Sequence, residues 1–272
     1  MEIKIGIDAG STSTKLAAIK GNEIIDLLKV KSVPSDEDIH DIFEQFISKN
    51  EIKTEDIKSV QLTGVGASGF SDTIGGIKTK YIHEFDADAA GARFFSDNLD
   101  DFLLISMGTG TTYIRVKDGV PSHVGGLGLG GGTLVGLSKY MLDTVHYKEI
   151  YNIAENGNHD NVNIMLSDVA TNRIEGLPMD VTVSNFGKIE HDASKEDLAS
   201  GLINLVLENL IQIGCLLARS MGVHAIVFIG GLSGANEIEG TLEAFRTFCP
   251  DMRFISTTKG SHVTAIGAAL AE

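Results

Sequence analysis

Two short loops of glycine and hydroxyl residues, each set between strand-like runs, constrain this chain more than any other feature. The first is Ile5-Gly6-Ile7-Asp8-Ala9-Gly10-Ser11-Thr12-Ser13-Thr14-Lys15, and the second is Ile105-Ser106-Met107-Gly108-Thr109-Gly110-Thr111-Thr112-Tyr113. Each reads as an apolar strand, a tight turn and a second β-prone run. Glycines let backbone N–H groups approach a phosphate, and Ser and Thr hydroxyls add donors. An acid at the end of the first strand, Asp8, is placed to hold a hydrated Mg²⁺ beside such phosphates. One loop of this kind is also what an ordinary hairpin contains. Two of them, opening halves of similar length, predict a nucleotide clamped between related domains spanning residues 1–100 and 101–272. Neither is a Walker P-loop, which needs Gly-Lys-Ser/Thr at a helix start. Lys15 falls instead in the following β-prone run, from where it can reach a β- or γ-phosphate as a point charge.

The first half reads strand, strand, strand, helix, strand, short helix, strand, helix. Ile3 to Ile7, Lys15 to Ile19 and Glu23 to Val30 form a meander, with Gly21-Asn22 as the turn between the last two. Ser35 caps a helix whose Ile39, Ile42, Phe43, Phe46 and Ile47 share one face, and Asp36, Glu37 and Asp38 suit its first turn. Ser59 to Thr63 and Lys80 to His83 are further strands. The pattern restarts at Leu103-Leu104-Ile105, continues through Thr111 to Val116 and Val120 to Val124, and enters a helix after Gly130-Gly131-Gly132. Residues 151–192 are polar and poorly periodic, and are expected to form short helices and loops, a lid over the site. Ser194 with Asp197 gives a capping-box-like start to a long helix reaching about Ser220. Ala225 to Ile229 and Arg253 to Ser256 are strands, and an Ala-rich helix from Thr264 closes the chain.

Other motifs are weaker. Gly64-Val65-Gly66-Ala67-Ser68-Gly69 matches a dinucleotide fingerprint literally, but that motif must open a long helix, and Gly75-Gly76 interrupts soon after. A glycine-rich turn lining a cleft is the reading kept. The run Gly125 to Thr133 offers free N–H groups at a helix start to an anion or a ribose edge, or else serves close packing of two backbones. Glu84 sits where a strand gives way to a helix, either as an acceptor of a substrate proton or as a dipole-satisfied helix acid. Asp86 and Asp88 read as first-turn acids. Cys215 lies among apolar helix positions and reads as packed, and Cys249 as a plain thiol. The eight histidines show no metal-ligand spacing, and His159-Asp160 and His191-Asp192 read as loop residues.

Composition narrows the classes. With 272 residues and 43% apolar content there is material for a large core. A formal charge of −15 argues against nucleic acid and anionic membrane surfaces as partners. Two cysteines, an N-terminus that enters a strand at once and the expectation that no apolar run approaches a membrane span point to the cytoplasm.

Taken together, the residues match a family. Gly6-Ile7-Asp8-Ala9-Gly10 with Thr12 and Lys15 resembles the opening of type II pantothenate kinases. So do Leu62-Thr63-Gly64, Glu84-Phe85-Asp86-Ala87, Gly108-Thr109-Gly110-Thr111, Val124-Gly125-Gly126, Gly130-Gly131-Gly132 and Asn185-Phe186-Gly187, in the same order along nearly the whole chain. The resemblance implies membership of the acetate and sugar kinase, Hsp70 and actin superfamily: an α/β fold of two ribonuclease-H-like (actin-like ATPase) domains around an ATP cleft. It implies that Asp8, Ala9, Gly10, Ser11, Thr12, Ser13, Thr14 and Lys15 hold the phosphates, with Mg²⁺ held through water near Asp8. Thr109 and the helix start Gly131, Gly132, Thr133, Leu134 and Val135 would contact ATP, with Tyr147 and Gly231 on the adenosine side. Glu84 would be the general base, and Glu84, His123 and Gly126 would meet the acceptor. The implied reaction moves the γ-phosphoryl of MgATP to the primary hydroxyl of pantothenate, the first step toward coenzyme A, in a cytoplasmic homodimer. One position departs from the family: an arginine before Val-Gly-Gly that helps hold the pantothenate carboxylate is replaced by His123, preceded by Ser122. Rival readings on the same fold are an activator of 2-hydroxyacyl-CoA dehydratases, which holds an iron–sulfur cluster with cysteines between two subunits, a sugar or N-acetylhexosamine kinase, and a non-catalytic actin-like ATP-binding protein.

Overall fold

The structure is a computed structural model that describes residues 2–32, 35–173, 178–188, 192–234 and 236–271. His191 of the His191-Asp192 pair and parts of the expected lid lie outside the described residues.

The first half opens with β1 (Ile3–Ala9), β2 (Ser13–Lys20) and β3 (Glu23–Lys31), joined as an antiparallel meander. α1 (Asp36–Lys49) follows, its start fixed by the Ser35 hydroxyl, which accepts from the Asp38 amide at 3.2 Å. Its Ile39, Phe43, Phe46 and Ile47 are buried against β1 and β4 (Ile57–Thr63), so the helical periodicity read from the sequence is the face that packs. A single 3₁₀ turn at Ala67–Gly69 leads to β5 (Thr73–Ile74), β6 (Ile77–Tyr81) and α2 (Glu84–Phe95). The expected strand at Lys80 to His83 begins earlier and ends at Tyr81, because His83 is the N-cap of α2, its ring nitrogen accepting from the Phe85 amide.

The second half repeats the plan. β7 (Asp101–Met107), β8 (Thr111–Lys117) and β9 (Val120–Leu127) form a second antiparallel meander. Then come α3 (Gly131–Met141), α4 (Tyr147–Ala154), β10 (Ile164–Met165), α5 (Leu166–Val169), β11 (Thr182–Ser184) and α6 (Lys195–Ser220). β12 (Ala225–Gly230), α7 (Asn236–Phe248), β13 (Arg253–Ile255) and α8 (Val263–Leu270) complete the chain. α3 starts at Gly131 rather than after Gly132, since Gly130 is its N-cap.

The sheets have matching topology. The first has order β3-β2-β1-β4-β6-β5, the second β13-β12-β7-β8-β9, so in each a meander of three strands continues into parallel neighbours. This is the mixed α/β architecture of two ribonuclease-H-like sheets implied by the sequence. The two glycine-hydroxyl loops are the β1–β2 and β7–β8 turns, equivalent positions of the repeat.

Two helices join the halves. α8 packs across β1, β2 and β4, although it comes last in the chain, and it packs most densely of all against α2. α2 in turn meets β7, β9 and β12 of the second sheet. α6 corrects one expectation: by length and mean hydropathy it is apolar enough to span a membrane. Here its Leu202, Val206, Leu207, Leu210 and Ile211 are buried in the second-half core with Ile105, Tyr113 and Phe228.

Candidate active site

Antiparallel pairing of β1 with β2 sets Asp8 directly opposite Lys15. Lys15 Nζ donates to Asp8 Oδ2 at 3.0 Å, with both side chains largely buried. Burial pushes the Asp8 carboxyl up from its ordinary range, and the Lys15 ammonium opposes that. The first loop is pinned from two sides. The Ser32 hydroxyl donates to the Gly10 carbonyl at 3.1 Å and the Ser32 amide to the Thr12 carbonyl at 3.2 Å, while the Gly66 amide donates to the Ala9 carbonyl at 2.9 Å. Gly64 has φ +90°, and a Cβ there would lie 2.8 Å from Asp8 Oδ1. The Gly64 to Gly69 segment is therefore a turn wrapped on the end of β1, not the opening of a dinucleotide-binding helix.

The second loop is stitched to the glycine run. The Gly131 amide donates to the Gly108 carbonyl at 2.9 Å and the Gly132 amide to the Thr109 carbonyl at 2.8 Å. The Gly130 amide donates to Thr133 Oγ1, which donates to the Gly128 carbonyl. These N–H groups are thus engaged by protein, which corrects the expectation that the run presents them free. Close packing of two backbones is what the glycines provide, since a Cβ at Gly130 or Gly132 would fall within 2.9 Å of Thr109 or Gly110 atoms. Leu134 is also displaced from its expected role: its side chain is buried in the core and its amide donates to the Gly130 carbonyl. Thr109 is exposed and Val135 half-buried. Tyr147, at the start of α4, packs its hydroxyl against Gly131, and burial raises its pKa. Gly231 follows β12, with no atom near its Cβ direction, beside the base of the second loop.

Glu84 is the first residue of α2 and half-buried. Burial raises its pKa and the Asp8 charge raises it further, while Lys15 and His83 lower it. The Asp8 and Lys15 charges both act on Glu84, which puts the three in one electrostatic cluster, although they are far apart in sequence. Beside it, the His123 ring stacks on Phe85, with centroids 5.6 Å apart and planes 4° from parallel. Gly126 lies on the same strand, β9, opposite Thr112.

Three further residues of the cluster were not legible as site residues. Asp88 was read as a first-turn acid, but it is the fifth residue of α2, one turn beyond Glu84 on the same face, and only 2% exposed. Its carboxyl accepts from Thr264 Oγ1 at 2.6 Å, and burial pushes its pKa up to about 7. Lys29, opposite Lys15 on β3, has its pKa lowered by burial and then by Lys15. His262, just before α8, is pushed down to about 4 by burial, then by Lys29 and Lys15. Their spacing in sequence carries no signal; only the β2–β3 register and the return of the chain at α8 assemble them.

His262 gives a pH prediction. Its folded pKa lies below the unfolded value near 6.5, so the stabilising contribution of the neutral ring is complete above that value and is lost as pH falls toward 4. Thermal melts of wild type and His262→Gln should therefore differ by an amount that shifts in favour of the variant between pH 7 and pH 5. A difference independent of pH in that window contradicts the assignment.

An Asp–Lys pair and a half-buried carboxylate thus stand with two equivalent hairpin turns on a two-sheet α/β fold. Solved structures carry the same fold. The activator of the 2-hydroxyisocaproyl-CoA dehydratase from Clostridium difficile, with bound ADPNP, superposes with a TM-score of 0.68 at 21% identity, covering 98% of this chain and 93% of that one. A ROK family glucokinase from Streptomyces griseus in complex with glucose and AMPPNP gives 0.60 at 15% identity, covering 98% of each. The Fumble family profile matches residues 96–249, and the chain belongs to the Fumble family. Among curated relatives, type II pantothenate kinase from Bacillus cereus is 28% identical over 238 residues, 85% of this chain and 84% of the relative. Type II pantothenate kinase from Staphylococcus epidermidis is 27% identical over 245 residues, 87% of this chain and 88% of the relative.

Proposed function

We propose that the chain is an ATP-dependent pantothenate kinase that phosphorylates the primary hydroxyl of pantothenate, the first step of coenzyme A biosynthesis. The observation that carries this reading is the clustering of Glu84 with the Asp8–Lys15 pair at the β1–β2 turn, in a chain whose curated relatives are type II pantothenate kinases.

Phosphoryl transfer depends on in-line positioning and charge stabilisation more than on covalent chemistry by the protein. The turn amides and the hydroxyls of Ser11, Thr12 and Ser13 take one side of the phosphate chain, and Thr109 with the second turn takes the other. Lys15 supplies positive charge at the transferring group. The site fits Mg²⁺ arriving with the nucleotide: Asp8 Oδ2 is taken by Lys15, Asp8 Oδ1 faces the Gly10 and Gly64 backbone, and the Thr63 and Thr111 hydroxyls are buried without a hydrogen-bond partner in the protein. That donor set is all oxygen, as Mg²⁺ requires. Asp8 would hold the ion through water, where it neutralises charge on the β- and γ-phosphates. Glu84 accepts the proton of the acceptor hydroxyl as the O–P bond forms and the bond to the leaving ADP breaks. His123, stacked on Phe85 next to Glu84, with Gly126 on the same strand, forms the acceptor end. A homodimer in the cytoplasm completes the proposal.

The dehydratase-activator alternative needs cysteines that reach a cluster between subunits. Cys215 and Cys249 are both free thiols and both buried in the second-half core. The test is a coupled ADP-release assay with MgATP, comparing pantothenate, glucose and N-acetylmannosamine, with mass detection of the phosphorylated product. ADP release should follow pantothenate, with one phosphopantothenate formed per ADP. Release with a sugar alone, or none with any acceptor, overturns the assignment.

A further inference from the structure

The helix that carries Glu84 packs backbone to backbone against α8. α2 and α8 meet through Ala87, Gly91, Val263 and Gly267, where backbones touch: a Cβ at Gly267 would overlap the Ala87 carbonyl oxygen, and one at Gly91 the Val263 carbonyl oxygen. Small residues permit that close approach. Two elements packed on α2 ride on different sheets. α8 sits on the first, and β7 belongs to the second. Asp88 ties α2 to α8: it accepts from Thr264 Oγ1 at 2.6 Å, near the start of α8. With Asp8, it is one of two buried acids among the described residues, and the pairing of Asp8 with Lys15 leaves no such cation for Asp88. Directional bonds to a buried carboxyl are costly to break, because the group left behind has no water to turn to.

We infer that Asp88 is a positioning residue of the transfer reaction: through Thr264 it fixes the rotation and height of α2 against α8 and the first sheet, and so the aim of Glu84 toward the acceptor beside the β1–β2 loop. This rests on the kinase reading above. It touches neither nucleotide nor acceptor. It acts one helical turn behind Glu84, where a small rotation of α2 swings the Glu84 carboxylate away from the hydroxyl while the β1–β2 turn keeps its shape.

The test uses the full chain with Thr264→Val, which removes the donor at nearly constant volume, and Thr264→Ser, which restores it. Thr264→Val should lower pantothenate-dependent kcat about tenfold, the size of one charge-assisted hydrogen bond. KM for ATP should stay unchanged, as should the slow hydrolysis of ATP without acceptor, so phosphopantothenate formed per ADP falls. Thr264→Ser should restore both rate and ratio. A second readout is independent of activity: amide hydrogen exchange in the first turn of α2 should quicken in Thr264→Val while the β1–β2 hairpin is unaffected. Equal losses of acceptor-dependent and acceptor-free turnover would mean a merely structural role and overturn the inference, as would unaltered exchange in α2. If wild type itself ignores pantothenate, the kinase reading fails, and the exchange experiment still decides whether the bond fixes α2.

Discussion

Glu84→Gln should retain nucleotide binding and lose pantothenate-dependent turnover by about a hundredfold or more, the scale of general-base catalysis. The substitution keeps the shape and hydrogen-bonding reach of the side chain at the first position of α2 but removes its ability to take a proton. Glu84 is suited to the task by its surroundings. Burial and the Asp8 charge raise its pKa, so its conjugate acid is less strongly acidic than that of an exposed carboxylate. Lys15 and His83 pull the other way. kcat/KM for the acceptor should follow that balance, falling on the acid side as Glu84 takes up a proton before substrate arrives. The measurement is steady-state turnover paired with nucleotide titration by fluorescence or calorimetry. A variant that binds MgATP as wild type does and turns over at the wild-type rate removes Glu84 from the role of base.

The same comparison shows why some of this site could be read from sequence and some could not. The two loops were legible because each is local: an apolar strand, a glycine turn and a second strand lie contiguous, and hairpin pairing places Asp8 opposite Lys15 without help from elsewhere. α1 and α6 were legible for the same reason, with cap and apolar stripe in one stretch. α7 passed unnoticed although Ile238, Leu242 and Phe245 recur at helical spacing, because Gly234 and Gly240 break up the pattern. The β10–β11 pair is too short for alternation to register. Asp88 was misread because helix position and burial are different things: a carboxylate near a helix start is usually solvated, and only the packing of α8 on α2 turns its face inward. Leu134 was misplaced for the converse reason, since a helix start near a ligand still has a core-facing side.

The packing of α8 on α2 is also where a single methyl should do the most damage to stability. Gly267→Ala is expected to destabilise the protein by about 3 kcal/mol, the upper end of ordinary overpacking, and to lower the melting temperature on the order of 10 °C. The added Cβ overlaps the Ala87 carbonyl oxygen and lies 2.6 Å from the Gly91 amide nitrogen. Both obstacles are backbone, so no rotamer change relieves them, and the two helices must separate. Gly240→Ala is the matched control, because that glycine is in α7 with nothing within 4 Å of its Cβ direction. There the same chemical change should stabilise by roughly 0.5–1 kcal/mol through helix propensity alone. Opposite signs for one substitution in two helices isolate contact from propensity. A Gly267→Ala melt at or above wild type shows that α2 and α8 do not approach this closely. Because α2 carries Glu84 and α8 carries the donor to Asp88, separation should also lower turnover before the protein unfolds, so activity measured well below the melting temperature should fall in Gly267→Ala and stay constant in Gly240→Ala.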